Sequence, residues 1–266
     1  MKIAHFLNKF KFESLQSFLY SLADFLLNNY IGIKKNKIYY FLNTGKNSRK
    51  YLRSFYEKEP DTIDWINNFK PKSLLLDVGA NMGVYSLYAA KEKNCDVVAI
   101  EPLSQSFSTL NLNIIKNKLS QKITAYPLCV SDRNELNSFF HTNSVIDING
   151  GAFAKPFNVR NIKMNNFFSQ GTYSIKTDIF FDAGIYFNYI KCDIDGNELK
   201  FLYGAKKTLS SSKIKSLLIE LNIDSKDYHK IINFIKQRGF KEKKLSKLTN
   251  VSKKNNQIIY NHIFNK

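Results

Sequence analysis

The sequence predicts an α/β protein built on a mostly parallel sheet whose last strands return antiparallel. Three observations predict it. From residue 73 onward short β-branched runs alternate with helical stretches, and the first run ends in a glycine turn, DVGANMG (77–83). An acid, Glu101, ends the next run 22 residues after Gly79. Strands alternating with helices call for right-handed crossovers and a sheet covered on both faces.

The elements follow in order. Residues 12–33 (FESLQSFLYSLADFLLNNYIGI) set Leu15, Phe18, Leu19, Leu22 and Leu26 at helical spacing. That is an amphipathic helix, expected to pack on the main domain or on a second copy of the chain, with a membrane surface as the sharper alternative. Residues 34–60 are basic and aromatic, and Pro60 introduces DTIDWINNF, a short helix opened by Asp61 or Thr62. SLLLDVG (73–79) is a buried strand, 82–93 a helix, DVVAIEP (96–102) a strand, 104–117 a helix and ITAYPLCVSD (123–132) a strand. Between 133 and 188 the pattern loosens into aromatic, glycine-containing sequence, an insertion where substrate contacts are expected. NYIKCD (188–193) is a strand, 198–205 a helix, SLLIELN (216–222) a strand and 225–238 a helix stopped by Gly239. Two tail strands, about 240–248 and 257–264, close the sheet. The expected organisation is a helical appendage over 1–58 and one domain over 59–266.

The bulk numbers narrow the class. A 44% hydrophobic content with 14% aromatic residues is that of a globular chain. No run of 18 apolar residues exists, and the opening MKIAHFLNKFKFESL lacks a leader's apolar core and cleavage site, so a cytoplasmic protein without a spanning helix is expected. Cys95, Cys129 and Cys192 are odd in number, with no CxxC, and read as reduced core residues. The net charge is +18, but residues 1–60 and 200–266 carry all of the excess, while 61–199 holds 13 basic and 14 acidic side chains. Only five of the 40 basic residues are arginine, the residue whose fork grips phosphate and bases, which argues for surface charge over nucleic-acid binding.

In DVGANMG, Asp77 ends the strand and Gly79, Asn81 and Gly83 bracket the turn. A dinucleotide site wants G-x-G-x-x-G, whereas here Asn81 holds the middle position and Val84 the third. An acid ahead of an open loop suits a cationic ligand, and Glu101 suits the two hydroxyls of a ribose, so S-adenosylmethionine fits better than NAD. A glycine turn with no ligand stays open.

DVGANMGVYS, AIEP, YPLCVSD, IKCDIDGNE with YGAKK, and LLIELN together resemble, in that order, the FkbM-type methyltransferases. The resemblance covers about residues 59–222 and departs at Cys129, Asp195 and Asn197. It implies a Rossmann-like class I methyltransferase fold with a seven-stranded sheet, using S-adenosylmethionine to methylate a hydroxyl oxygen. It implies further that Asp77, Gly79, Asn81 and Gly83 line the methionine side, that Glu101 holds the ribose, that Ser131 and Asp132 neighbour the adenine, and that Asp193 faces the transferring methyl.

The acids Asp193, Asp195 and Glu198 admit other readings. A calcium loop fails on spacing, because glycine comes at position 4 and position 12 is Gly204. A looser magnesium site with Glu220 and Asn222 and a phosphatase nucleophile at D-x-D-G remain alternatives; no metal is expected. Asp195 and Glu198 fit a helix capping box, which leaves Asp193 as the candidate base. His141, after the FF pair, is a second candidate, against a bland polar residue. Lys191 shares a strand face with Asp193 and is expected to pair with an acid. The expected acceptor is a small molecule or glycan, in surface polysaccharide biosynthesis or another secondary product. The alternatives are a nucleic-acid-binding methyltransferase, or an inactive scaffold assembled through its N-terminal helix.

Overall fold

The computed structural model describes residues 17, 19, 30–34, 36–141, 151–156, 167–243, 252–254 and 257–266. Its strands are β1 (Tyr30–Lys34), β2 (Ile38–Leu42), β3 (Leu74–Val78), β4 (Asp96–Ile100), β5 (Ile123–Tyr126), β6 (Cys129–Val130), β7 (Glu135–His141), β8 (Ala152–Phe153), β9 (Phe168–Ile175), β10 (Tyr189–Cys192), β11 (Ser216–Asn222), β12 (Lys241–Glu242), β13 (Ser252–Lys254) and β14 (Gln257–Asn265). Its helices are α1 (Lys46–Lys58), α2 (Pro60–Asn67), α3 (Val84–Lys93), α4 (Ser104–Lys116), α5 (Asp178–Asp182), α6 (Glu198–Gly204), α7 (Lys206–Ser210) and α8 (Tyr228–Lys236).

The main sheet runs β12-β14-β11-β10-β3-β4-β5, with β13 added on β14. Its central strands are parallel and β14 is antiparallel to β11, the Rossmann-like order expected of a class I methyltransferase. Successive side chains alternate between two cores. Leu75, Val97, Tyr189, Leu218 and Ile263 face one way and pack with residues of α1, α2, α3 and α4. Leu76, Val98, Ile190, Leu217 and Phe264 face the other way and pack with α6, α7 and α8. This is why the strands read as near-continuous apolar runs. On the first face the indole N–H of Trp65 donates to Ser216 Oγ at 2.8 Å, and Ser216 passes the bond to the Phe264 carbonyl at 2.8 Å. The three cysteines are free and buried. Among the described residues, no helix is long and apolar enough to cross a membrane.

Several local expectations change. Most of the expected helix over 12–33 lies outside the described residues; Ser17 and Leu19 are helical, but 30–34 is a strand, paired with β2 as a hairpin that periodicity did not reveal. The basic stretch after it forms α1, and Tyr39, Phe41, Leu52 and Phe55 share a core with Leu75 of the main sheet. The N-cap of α2 is Glu59, with Pro60 in the first turn, in place of Asp61 or Thr62. The strand expected over 123–132 breaks at Pro127, which has no N–H for a ladder: β5 stays in the main sheet and β6 joins a second one. That second sheet, β6-β9-β7-β8, is what the loosened 133–188 segment builds onto β6.

Candidate active site

Parallel register sets the geometry. Lys191 on β10 pairs directly with Asp77 on β3, and Asp77 with Ala99 on β4, so the acid of the glycine turn and the lysine lie side by side on one sheet face. At the strand ends the chain must leave the sheet sharply. Gly79, Asn81 and Gly83 all take positive φ (80°, 50° and 86°), which glycine adopts freely and asparagine more readily than most residues. The D-x-G-x-N-x-G spacing thus has a backbone cause. Gly79 has a second one: a Cβ there would lie 1.9 Å from the Asp193 carbonyl oxygen, so the two motifs touch through backbone.

The carboxylates are held in different ways. Asp77 Oδ2 accepts from Ser86 Oγ at 2.6 Å, while its Oδ1 is buried without a hydrogen-bond partner. Burial pushes its carboxyl up, and the neighbouring Lys191 pulls it back. Glu101 accepts the Asn81 amide on Oε2 (2.8 Å) and the Leu103 amide on Oε1 (2.9 Å). Burial nonetheless raises it to about 7. Lys191 is 2% exposed and donates to Asp193 Oδ2 at 3.1 Å, while Asp193 stays part-exposed. Burial would lower the ammonium, but Asp193, Asp77 and Glu59 outweigh it and hold Lys191 charged. The Lys191 ammonium also lies 5.1 Å from the centre of the Tyr85 ring. Asp193, then burial, drives Glu220 well above the ordinary carboxylate range.

Asp195 is not the cap of α6. It sits at φ 46°, the N-cap is Asn197, and no side chain caps the helix by a hydrogen bond. Glu198, the first residue of α6, reaches back to the Gly196 amide at 2.8 Å and not to the Asp195 amide that the expected capping box requires, and burial raises it to about 7. Asn197, a departure from the family pattern, donates Nδ2 to the Val130 carbonyl at 2.7 Å and ties the acidic loop to β6. Ser131 donates to Asp132 Oδ1 at 3.1 Å and its amide bonds the Ile175 carbonyl. Gly204 packs on Ser131, since a Cβ there would meet the Ser131 carbonyl at 1.9 Å.

His141 lies on the second sheet, buried and stacked on Phe168 at 5.7 Å. The β7–β9 register puts it opposite Phe168, at the end of β9 away from the Ile175 that meets Ser131. The structure therefore gathers Asp77, Gly79, Asn81, Glu101 and Asp193, with Ser131 and Asp132 beyond β6, and places His141 on the second sheet, on the same face of the β7–β9 pair as Gln170. Among the described residues, no group of three His, Cys, Asp or Glu is arranged to hold a metal ion. Sequence reasoning missed Gln170, whose Oε1 accepts from the Ser104 amide (3.1 Å) and whose Nε2 donates to the Pro102 carbonyl (2.6 Å), roofing the turn after Glu101. It also missed Tyr51, Glu59 and Tyr85; only the YS that follows the glycine turn gave any signal.

The Methyltransferase FkbM domain model matches residues 77–242, more than half of the chain. The chain belongs to the FkbM methyltransferase family. None of the curated proteins matches this family member. Among solved structures, it is similar to the precorrin-6y C5,15-methyltransferase of Geobacter metallireducens, at 12% identity over 78% of this chain and 86% of that one, with a TM-score of 0.46. It is similar to TYW2 of P. horikoshii in complex with MeSAdo, at 14% identity over 89% and 70%, with a TM-score of 0.45. It is also similar to TrmK of M. capricolum in complex with S-adenosyl-homocysteine, at 10% identity over 77% and 67%, with a TM-score of 0.42.

Proposed function

We propose that this FkbM-family protein is an S-adenosylmethionine-dependent O-methyltransferase acting on a hydroxyl of a sugar, a glycan or a related secondary metabolite. The observation that carries the reading is the contact of Asp193 with the glycine turn: its backbone lies on Gly79 while Lys191 holds one of its carboxylate oxygens. The other oxygen is left at the carboxyl end of the central strands, where open α/β sheets bind their ligands.

The residues fit the cofactor. Asp77 Oδ1, buried and without a partner, suits the cationic amino group. Each Glu101 oxygen receives one backbone N–H and keeps a lone pair for a ribose hydroxyl. S-adenosylmethionine, when bound, supplies a methyl group already activated on a sulfonium. Asp193 accepts the proton of the acceptor hydroxyl, and Lys191 fixes the carboxylate in the orientation that aligns it. The reading includes a 1–58 segment that serves the 59–266 domain, with Ser131 and Asp132 beside the adenine.

Calorimetry with S-adenosylmethionine, followed by tritiated methyl transfer to a panel of glycans and small polyols, tests it. Wild type and Asp193→Asn should bind the cofactor alike, with Asp193→Asn transferring at least a hundredfold more slowly; Asp77→Ala and Glu101→Ala should lose binding. Full transfer by Asp193→Asn, or cofactor affinity untouched in both other variants, would overturn the reading.

A further inference from the structure

The acids around Asp193 extend beyond the residues matched by the family model. On the α1–α3 face of the sheet, Asp77 lies on β3 one residue before its end, Asp193 follows β10 and Glu220 lies on β11 two residues before its end. Glu220 pairs in register with Asn261 of β14. Asn261 Nδ2 donates to Glu59 Oε2 at 3.3 Å and to Thr62 Oγ1 at 3.1 Å, and Thr62 Oγ1 donates to Glu59 Oε2 at 3.0 Å. Thr62 and Asn261 are buried, whereas Glu59, Asp193 and Glu220 are all part-exposed. A carboxylate at the junction of α1 and α2 is therefore clamped through Oε2, and its charge reaches Lys191 and Glu220. Tyr85 closes this region: it is buried, and its hydroxyl lies between Glu59 and Tyr51 and interacts with both.

Charge then selects the ligand. Four carboxyl groups, Asp77, Asp193, Glu220 and Glu59, surround one cation, Lys191, which is already committed to Asp193. Even with one carboxyl protonated, the opening stays negative, and partly buried charges are screened weakly by salt. A phosphate, sulfate or carboxylate on the acceptor would meet like charge beside Asp193. Hydroxyls and ammonium groups would meet acceptors: carboxylate oxygens take their protons, while the Tyr85 hydroxyl can donate or accept.

Resting on the methyltransferase reading, we infer that the acceptor is a polyhydroxyl compound without negative charge, a neutral or amino-bearing sugar, and that Glu59 sets this preference. Although the chain carries a net charge of +18, the residues that meet the acceptor are acidic. Glu59 lies before residue 77, so specificity is written by a segment that the family model leaves out.

The test needs no turnover. Full-length protein labelled with 15N-lysine shows the buried Lys191 ammonium, assigned by its loss in Lys191→Arg. The protein is saturated with S-adenosylhomocysteine and titrated with methyl α-glucopyranoside, glucosamine or glucose 6-phosphate. The first two should shift the Lys191 signal saturably, with glucose 6-phosphate at least tenfold weaker than glucosamine. Glu59→Gln should shrink that ratio at least fivefold, and Glu59→Asp should retain it, which a purely structural role for Glu59 would not produce. Glucose 6-phosphate binding as tightly as glucosamine, a ratio unchanged in Glu59→Gln, or no shift with any sugar while S-adenosylhomocysteine binds would each overturn the inference. Failure of S-adenosylhomocysteine to bind, with the sugar order intact, would sink the methyltransferase reading and leave the acceptor preference standing.

Discussion

Gly79 and Gly184 separate two costs of a side chain. Both take positive φ, near 80°, but a Cβ at Gly184 meets nothing within 4 Å, whereas at Gly79 it meets the Asp193 backbone at 1.9 Å. Gly184→Ala should cost about 1 kcal/mol, the strain alone. Gly79→Ala must also move backbone and should cost about 3 kcal/mol or more, with loss of cofactor binding; urea unfolding of both variants checks the difference. Glu101 gives a pH dependence. Its folded-state value, about 7, lies above the ordinary value of 4.5, so the unfolded chain ionises first as pH rises. Stability is therefore full below about 4.5 and is lost as pH rises to about 7, by roughly 3 kcal/mol for this group. Glu101→Gln should flatten that slope between pH 4.5 and 7 in urea midpoints; an unchanged slope would mean that burial does not perturb the group. The glycine turn and Glu101 were legible because backbone geometry and strand ends impose spacing on sequence. The Asp195 cap was misread because the pattern D-x-x-E says nothing of φ, and at 46° Asp195 has left the helix path.

Among the elements, β9 shows how the insertion serves the site. It joins β6 at Ile175 and carries Gln170 to Pro102 and Ser104, so a segment without a clear period of its own roofs the turn after Glu101. Gln170→Ala should weaken S-adenosylmethionine binding severalfold in calorimetry while leaving the unfolding midpoint within about 1 kcal/mol, as both its bonds are part-exposed or exposed. The sheet was not legible because β7 pairs with a strand about thirty residues away, and its exposed face carries Leu136 at 83% exposure, which spoils the alternation. The β1–β2 hairpin was hidden for a related reason: its first strand continues the apolar spacing of the helix expected before it. The alternating strands and helices after residue 73 were legible because both sheet faces are covered, which fixes long apolar runs.

Over the whole molecule, the charge is divided by place. Outside the acidic opening, α1 turns Lys46, Arg49, Lys50 and Arg53 to one side, lining an open groove of about 560 Å³ with Ser54 and Glu57. Their spacing of three and four residues makes one helix face, opposite the buried Leu52 and Phe55. Single-stranded RNA should bind there only weakly and should be released by salt, without being methylated. Replacing the four cations by serine should reduce the slope of log affinity against log salt by about 2 to 3 in fluorescence anisotropy. A slope unchanged by the replacement would assign the RNA contact elsewhere. The separation of acid from base was half legible: the neutral middle of the chain was plain, but Glu59 meets Asn261 across 202 residues, a contact that no local pattern encodes.

Trp65 is the sole tryptophan of the chain. Its ring stands edge-on to Phe69 at 4.6 Å and to Tyr189 at 6.2 Å, and its N–H bond to Ser216 is relayed to β14. Intrinsic fluorescence excited at the indole band thus reads the closure of β10, β11 and β14 on α2. Emission should move to longer wavelength only when the final strand lets go. The unfolding experiments above therefore come with a label-free optical reporter, sensitive to the sheet that supports the glycine turn.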